Sequence, residues 1–91
     1  LQLPRTSDRA ARMTLDGFEH EKAARIVAVD WAALAEDEGK RLKALGVDEG
    51  AEVAIIHRGI FGTRDPLAIR IGRMTIALRR SHALAIEVEP A

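Results

Sequence analysis

The chain has 91 residues, and its fourteen basic and fourteen acidic side chains give a formal net charge of zero. This length fits one small domain, and the core has to be aliphatic because only 3% of the residues are aromatic. The lack of cysteine excludes disulfides, zinc knuckles, iron–sulfur clusters and thiol nucleophiles. No apolar run approaches the ~20 residues that cross a bilayer, and no signal-peptide pattern opens the chain. A cytoplasmic protein is expected.

The first half of the sequence predicts a lead, a strand and a short helix. Residues 1–14 are polar and aperiodic, so we expect a loosely ordered lead before a domain that spans residues 15–91. Ala24–Val29 is apolar and rich in β-branched residues, which favours a strand. From Trp31 to Leu45 the apolar spacing becomes helical, with acidic residues early and basic residues late. Gly46 then predicts a left-handed cap that ends a helix of two or three turns.

The second half predicts four more strands. Glu52 to His57 is strand-like, a loop with two glycines and a proline occupies residues 59–66, and residues 84–89 alternate as a last strand. Between these, two alternating segments flank Gly72-Arg73, which is the sequence of a two-residue type II′ hairpin turn. That turn places all the large apolar residues of the hairpin on one face. The pairs it predicts are Ile71 with Met74, Arg70 with Thr75, Ile69 with Ile76, Ala68 with Ala77 and Leu67 with Leu78.

These elements predict a mostly β fold, a small, partly open barrel of about five strands with one short helix between the first two. Between Leu15 and Val88 the chain also has many short pieces in a specific order and spacing. They are Ala24-Arg25-Ile26, Arg41-Leu42-Lys43-Ala44-Leu45-Gly46-Val47, Gly50-Ala51-Glu52-Val53, Asp65-Pro66-Leu67, Gly72-Arg73-Met74, Ile76-Ala77-Leu78-Arg79 and Ala83-Leu84-Ala85-Ile86-Glu87-Val88. In their order and spacing the chain resembles the ferrous-iron-transport protein A (FeoA) family of SH3-like domains.

The resemblance implies a cytoplasmic, non-enzymatic accessory of ferrous iron uptake and metal ion homeostasis. Such a module acts by docking on the membrane transporter that carries a GTP-binding domain (FeoB), at the inner face of the cell membrane. It implies no cofactor, no catalytic residue and no bound metal. Neither activation nor gating of transport is specified by the sequence.

The candidate protein-binding residues lie in and beside the loop before the predicted hairpin. Ile60 and Phe61 are large apolar residues between glycines, and Arg58 and Arg64 flank them. An apolar pair beside arginines has the composition of a binding hot spot if it is exposed. The same two side chains could instead fold back over the barrel as a lid.

Two other functions stay open at this point. Residues 57–82 hold six arginines and one aspartate, a local charge of +5, which would suit a small-barrel nucleic-acid-binding domain. The neutral total charge and the scarcity of aromatic residues for base stacking argue against that alternative, so no nucleic acid is expected. His20, His57 and His82 lack the spacing of a metal site. Self-association through exposed edges, at the long loop and the last strand, is also compatible with the sequence.

Overall fold

A computed structural model describes residues 13–58 and 65–91 of the chain. Six strands form one antiparallel sheet in the order β1-β6-β2-β3-β4-β5. The strands are β1 (Met13–Thr14), β2 (Ala24–Val29), β3 (Glu52–Arg58), β4 (Leu67–Ile71), β5 (Met74–Leu78) and β6 (Ile86–Pro90). The helices are α1 (Glu36–Ala44) and α2 (Arg80–Ala83), and 3-10 turns lie at Leu15–Gly17 and Trp31–Ala33.

The prediction of a mostly β, partly open small barrel is confirmed. Within residues 13–58 and 65–91, β1 and β5 each pair with a single strand, so the sheet is not closed. The structure has six strands rather than five because the two-residue β1 pairs with β6. Two residues are too few to show an alternating pattern, which is why the sequence did not predict this strand.

The last strand differs from its prediction in two ways. It begins at Ile86, and Leu84 lies before it in a turn with 51% of its surface exposed. It also lies between β1 and β2 inside the sheet, so the expectation of an exposed edge at the last strand is wrong. The strand begins late because helix α2 and the turn after it occupy residues 80–85, and its outer edge is covered because β1 pairs with it.

The β4–β5 hairpin has the predicted register at all five pairs. Gly72 has a φ of 60° and Arg73 has an ordinary negative φ, which fits a turn whose first central residue must be left-handed. The buried face of the hairpin contains Leu67, Ile69 and Leu78. Turn chemistry and apolar alternation therefore agree on one pairing.

Helix α1 ends as the sequence predicts. Gly46 has a φ of 98°, and its N–H donates to the carbonyl of Lys43 at 3.0 Å. The next amide, that of Val47, donates to the carbonyl of Leu42 at 2.9 Å. These two bonds form a Schellman cap, which satisfies carbonyls that the helix end would leave without partners. Leu42 is fully buried and packs the helix on the sheet.

One aliphatic core lies between the sheet and the helices. Every strand from β2 to β6 contributes to it, and Leu15 and Phe18 add residues from the segment after β1. Burying aliphatic side chains of this kind stabilises a fold by ~1.5–3 kcal/mol each before entropy is counted. The largest fully buried side chains are Leu15, Ile26, Leu42, Val47, Ile55, Leu67, Ile69, Leu78, Ile86 and Val88.

Candidate functional site

The predicted binding loop begins where β3 ends. Arg58 is the last residue of β3, and its backbone pairs with that of Leu67 at the start of β4. Ile60, Phe61 and Arg64 lie outside the residues that the structure describes. Their role in binding therefore stays a prediction from the sequence.

The arginines of the basic segment cluster on and around the β4–β5 hairpin. Arg70 is exposed on β4, opposite Thr75 of β5, and Arg73 is exposed in the turn. Arg79 and Arg80 follow β5 directly and are also exposed. The four arginines thus lie along the β5 edge of the sheet, with Arg73 before β5 and Arg79 and Arg80 after it.

Arg80 is tied to two aspartates, and those contacts fix where α2 begins. The Nε of Arg80 donates to Oδ2 of the buried Asp16 at 3.3 Å. The backbone N–H of Arg80 donates to Oδ1 of Asp65 at 2.8 Å, which satisfies a free amide at the start of the helix. These two aspartates hold the start of α2 in place, and Arg80 is therefore the least available of the four arginines for binding a partner.

A charged cluster joins the two helices. Both side-chain groups Nε and Nη2 of Arg41 donate to the carboxylate of Glu38, at 3.2 and 2.7 Å. His82 of α2 places its Nδ1 3.3 Å from the same carboxylate. The hydrogen bond from Arg41 lowers the pKa of Glu38 although desolvation opposes it, and the same bond raises the pKa of Arg41. This arrangement connects α1 to α2.

Two histidines, His20 and His82, make local contacts of this kind. His20 lies with its Nε2 2.7 Å from the carbonyl oxygen of Ile56, and His82 faces Glu38. Across the described ranges, no three histidine or acidic side chains gather as a group that could hold a metal ion. In the same ranges no helix has both the length and the apolar character of a membrane span.

A shallow groove of about 290 Å³ lies between Trp31 and α1. The indole packs on Gly39, where a Cβ would come within 3.5 Å of the ring. Lys43 places its Nζ 4.7 Å from the centre of the ring, a cation–π contact that covers part of the groove. The long connection between β2 and α1 is thus packed on the helix.

Exposed apolar side chains are the features that the sequence analysis missed. Met13 and Met74 are each 43% exposed, and Leu84 is 51% exposed. Met74 lies at the start of β5 among the arginines, whereas Met13 and Leu84 share a depression at the opposite edge of the sheet. Met74 belongs to a hairpin face that the alternation assigns to the core. Only the three-dimensional position of β5 at the sheet edge explains its exposure.

Comparison with solved structures defines the class of this domain. The FeoA of Stenotrophomonas maltophilia, solved with zinc and described as an SH3 domain protein, aligns with a TM-score of 0.70 at 30% identity, covering 85% of this chain and 89% of that one. The solution structure of FeoA from Chlorobium tepidum gives a TM-score of 0.73 at 26% identity, covering 86% of this chain and 70% of that one. The chain therefore has the SH3-like fold.

A broader likeness concerns the fold alone. The IdeR of T. acidophilum aligns with a TM-score of 0.72 at 18% identity, over 89% of this chain and 35% of that longer chain. A comparison with curated protein sequences gives no match.

The family is shown by a direct match. Residues 13–90 match the model of the FeoA domain. The chain therefore belongs to the FeoA family, whose members are non-enzymatic accessory domains of ferrous iron transport.

Proposed function

We propose that this domain regulates ferrous iron uptake by docking on the cytoplasmic domain of the membrane GTP-binding iron transporter (FeoB). The observation that carries the proposal is the FeoA domain match over residues 13–90. A relative with 30% identity, that of Stenotrophomonas maltophilia, is described as a candidate activating factor of ferrous iron transport. The proposal also places the domain in the cytoplasm, because the domain of the transporter on which it would dock lies there.

The charge distribution supports binding to a protein surface. Two exposed arginines, Arg70 and Arg73, lie on the β4–β5 hairpin and Arg79 directly follows it, and guanidinium groups bind carboxylates in a bidentate manner. We further propose that Ile60 and Phe61, flanked by Arg58 and Arg64, supply the apolar part of the contact. Apolar residues next to arginines carry much of the binding energy in protein interfaces.

The test is affinity capture of the tagged chain from detergent-solubilised membranes of cells that make the transporter. We expect the transporter to be recovered with the wild-type chain, and Phe61→Ser to reduce recovery at least tenfold. Leu84→Ser is the matched control, because Leu84 is an exposed apolar residue outside the loop. Failure of the wild-type chain to recover the transporter would refute the docking function. Equal recovery with both variants would refute only the role of Phe61.

The nucleic-acid alternative is tested with the same material. A nuclease treatment before capture should leave recovery of the transporter unchanged. Recovery of nuclease-sensitive material with no membrane protein would replace the docking function by nucleic-acid binding. Such binding would also weaken steeply with salt, because arginines release counterions from phosphates.

A further inference from the structure

Within residues 13–58 and 65–91, no strand pairs with the outer edge of β5, here called its free edge, and backbone groups there have no hydrogen-bonding partner. A two-residue hairpin turn is closed by a hydrogen-bonded pair, here Ile71 with Met74, and such pairs alternate along the hairpin. Thr75 and Ala77 therefore direct their N–H and C=O groups away from β4. Among the described residues no backbone hydrogen bond reaches these groups.

The strand carries none of the features by which proteins usually protect an edge. Its sequence, MTIAL, has no charge, no proline and no glycine, and its pairing with β4 has no bulge. Five extended residues give an edge about 17 Å long. An edge of this kind is a template for strand addition by another chain.

Arginines stand at both ends of this edge. Arg73 precedes β5 and Arg79 follows it, while Arg70 lies across from Thr75 on the exposed face. Within the part of the chain that the structure describes, none of the three forms an ion pair. The charges of Arg70 and Arg73 are thus available to a chain that pairs with β5, and Arg79 interacts with Glu38 only through its electric field, which helps to lower the pKa of that carboxyl.

The charges argue against a second copy as the occupant. Two β5 strands paired antiparallel around a two-fold axis through Ile76 would make the longest contact. That register places Arg73 of one copy directly opposite Arg79 of the other, at both ends of the pair. Like charges directly opposite each other destabilise a strand pair, and a strand with acidic ends does not meet this repulsion.

We propose that the free edge of β5 binds an extended segment of a partner protein by strand addition, and that this segment has acidic ends and apolar residues at alternate positions. On the core-facing side the added strand lies next to Met74, which is 43% exposed, and Ile76, which is partly buried. Apolar side chains fit there. On the other side it lies next to Thr75 and Ala77. The inference rests on the proposed function for the identity of the partner, but the edge itself is testable with a peptide.

The experiment titrates the full isotope-labelled chain with the acetylated and amidated peptide EEVTVTVEE at low salt and follows amide chemical shifts. We expect saturable shifts at the Thr75 and Ala77 amides. The charge-reversed peptide KKVTVTVKK should bind at least tenfold more weakly. No saturable shift at millimolar peptide, or equal binding of the two peptides, would overturn the proposal.

One variant removes the edge donor without disturbing the hairpin. Ala77→Pro deletes an N–H that points away from β4, a position where edge strands accept proline. It should weaken binding of EEVTVTVEE at least tenfold, and Ala77→Ser, which keeps the donor, should bind as the wild type does. Unchanged binding by a folded Ala77→Pro variant would overturn strand addition. If that variant does not fold, the double variant Arg73→Glu and Arg79→Glu decides, since it should reverse the preference between the two peptides.

Other occupants of the edge are separate outcomes. Concentration-dependent shifts at Thr75 and Ala77 without peptide would identify a second copy and overturn the proposal. Shifts at Arg70 and Arg73 with a single-stranded oligothymidylate that displaces the peptide would assign the arginines to nucleic acid, and overturn it too. Transporter captured equally by wild type and Ala77→Pro would leave the docking function standing and reject only the β5 edge.

Discussion

The glycine after α1 offers a sharp test of how the helix end contributes to stability. At Gly46 the φ of 98° lies in the region that disfavours a side chain, and the cost of that backbone for an L-residue is ~1–2 kcal/mol. Space is not the limitation, because an added Cβ would lie 3.6 Å from Cδ1 of Ile71, an ordinary van der Waals contact. Alanine also lowers the entropy of the unfolded chain, which returns ~0.4–1 kcal/mol. Gly46→Ala should therefore lower the free energy of unfolding by about 1 kcal/mol.

Urea and thermal unfolding measure this change. A loss of 1 kcal/mol lowers the Tm of a domain of this size by ~4–8 °C. The matched control is Gly17→Ala, where φ is ordinary and no atom lies within 4 Å of the added Cβ. That variant should gain ~0.4–1 kcal/mol through the unfolded chain alone. If the two variants change the free energy of unfolding equally, backbone strain at Gly46 is not the cause and the argument fails.

Two further changes test the core and the charged cluster. Leu42→Ala removes a fully buried side chain and should lower the free energy of unfolding in urea by ~2–5 kcal/mol. Leu84→Ala, at an exposed site, should lower it by less than ~0.5 kcal/mol. Similar losses for the two variants would contradict the packing of α1 on the sheet. Glu38 has a pKa below its ordinary value of 4.5, so its contribution to stability is present above that pH and is lost as the pH falls through the lowered pKa. Arg41→Gln should therefore make the free energy of unfolding less dependent on pH in the acid range, and an unchanged pH profile would show that Arg41 does not set the pKa of Glu38.

The parts of the fold that the sequence predicts are those whose signals are local. The hairpin is an example, because the turn Gly72-Arg73 and the apolar alternation on either side of it predict the same pairing register. The end of α1 is another, since the cap needs only the left-handed backbone of Gly46 and the amides of Gly46 and Val47. Pairings between distant segments have no such signal. β1 is two residues long, and nothing near Met13 indicates Val88 as its partner.

The candidate site likewise has features that local sequence predicts and features that only the strand order shows. The candidate residues Arg58, Ile60, Phe61 and Arg64 stay predictions from composition, and the structure adds that Arg70 and Arg73 of the neighbouring hairpin are exposed. The sequence pattern of β5 does not say whether another strand lies beyond it. An alternating apolar strand looks alike at the edge and inside a sheet, so only the strand order shows that Thr75 and Ala77 have unpaired backbone groups.

The position of β6 inside the sheet has a consequence for the order in which the chain folds. β3, β4 and β5 are consecutive in the chain and adjacent in the sheet, but β2 makes only two residue pairs with β3. Its other neighbour is β6, where Ile26 meets Val88 more than sixty residues later. Contacts of such sequence separation form slowly, because the entropy of loop closure is spent before the pairing stabilises the chain. In a newly made chain, the edge of β2 that pairs with β6 therefore has no partner strand until residues 86–90 have been synthesised.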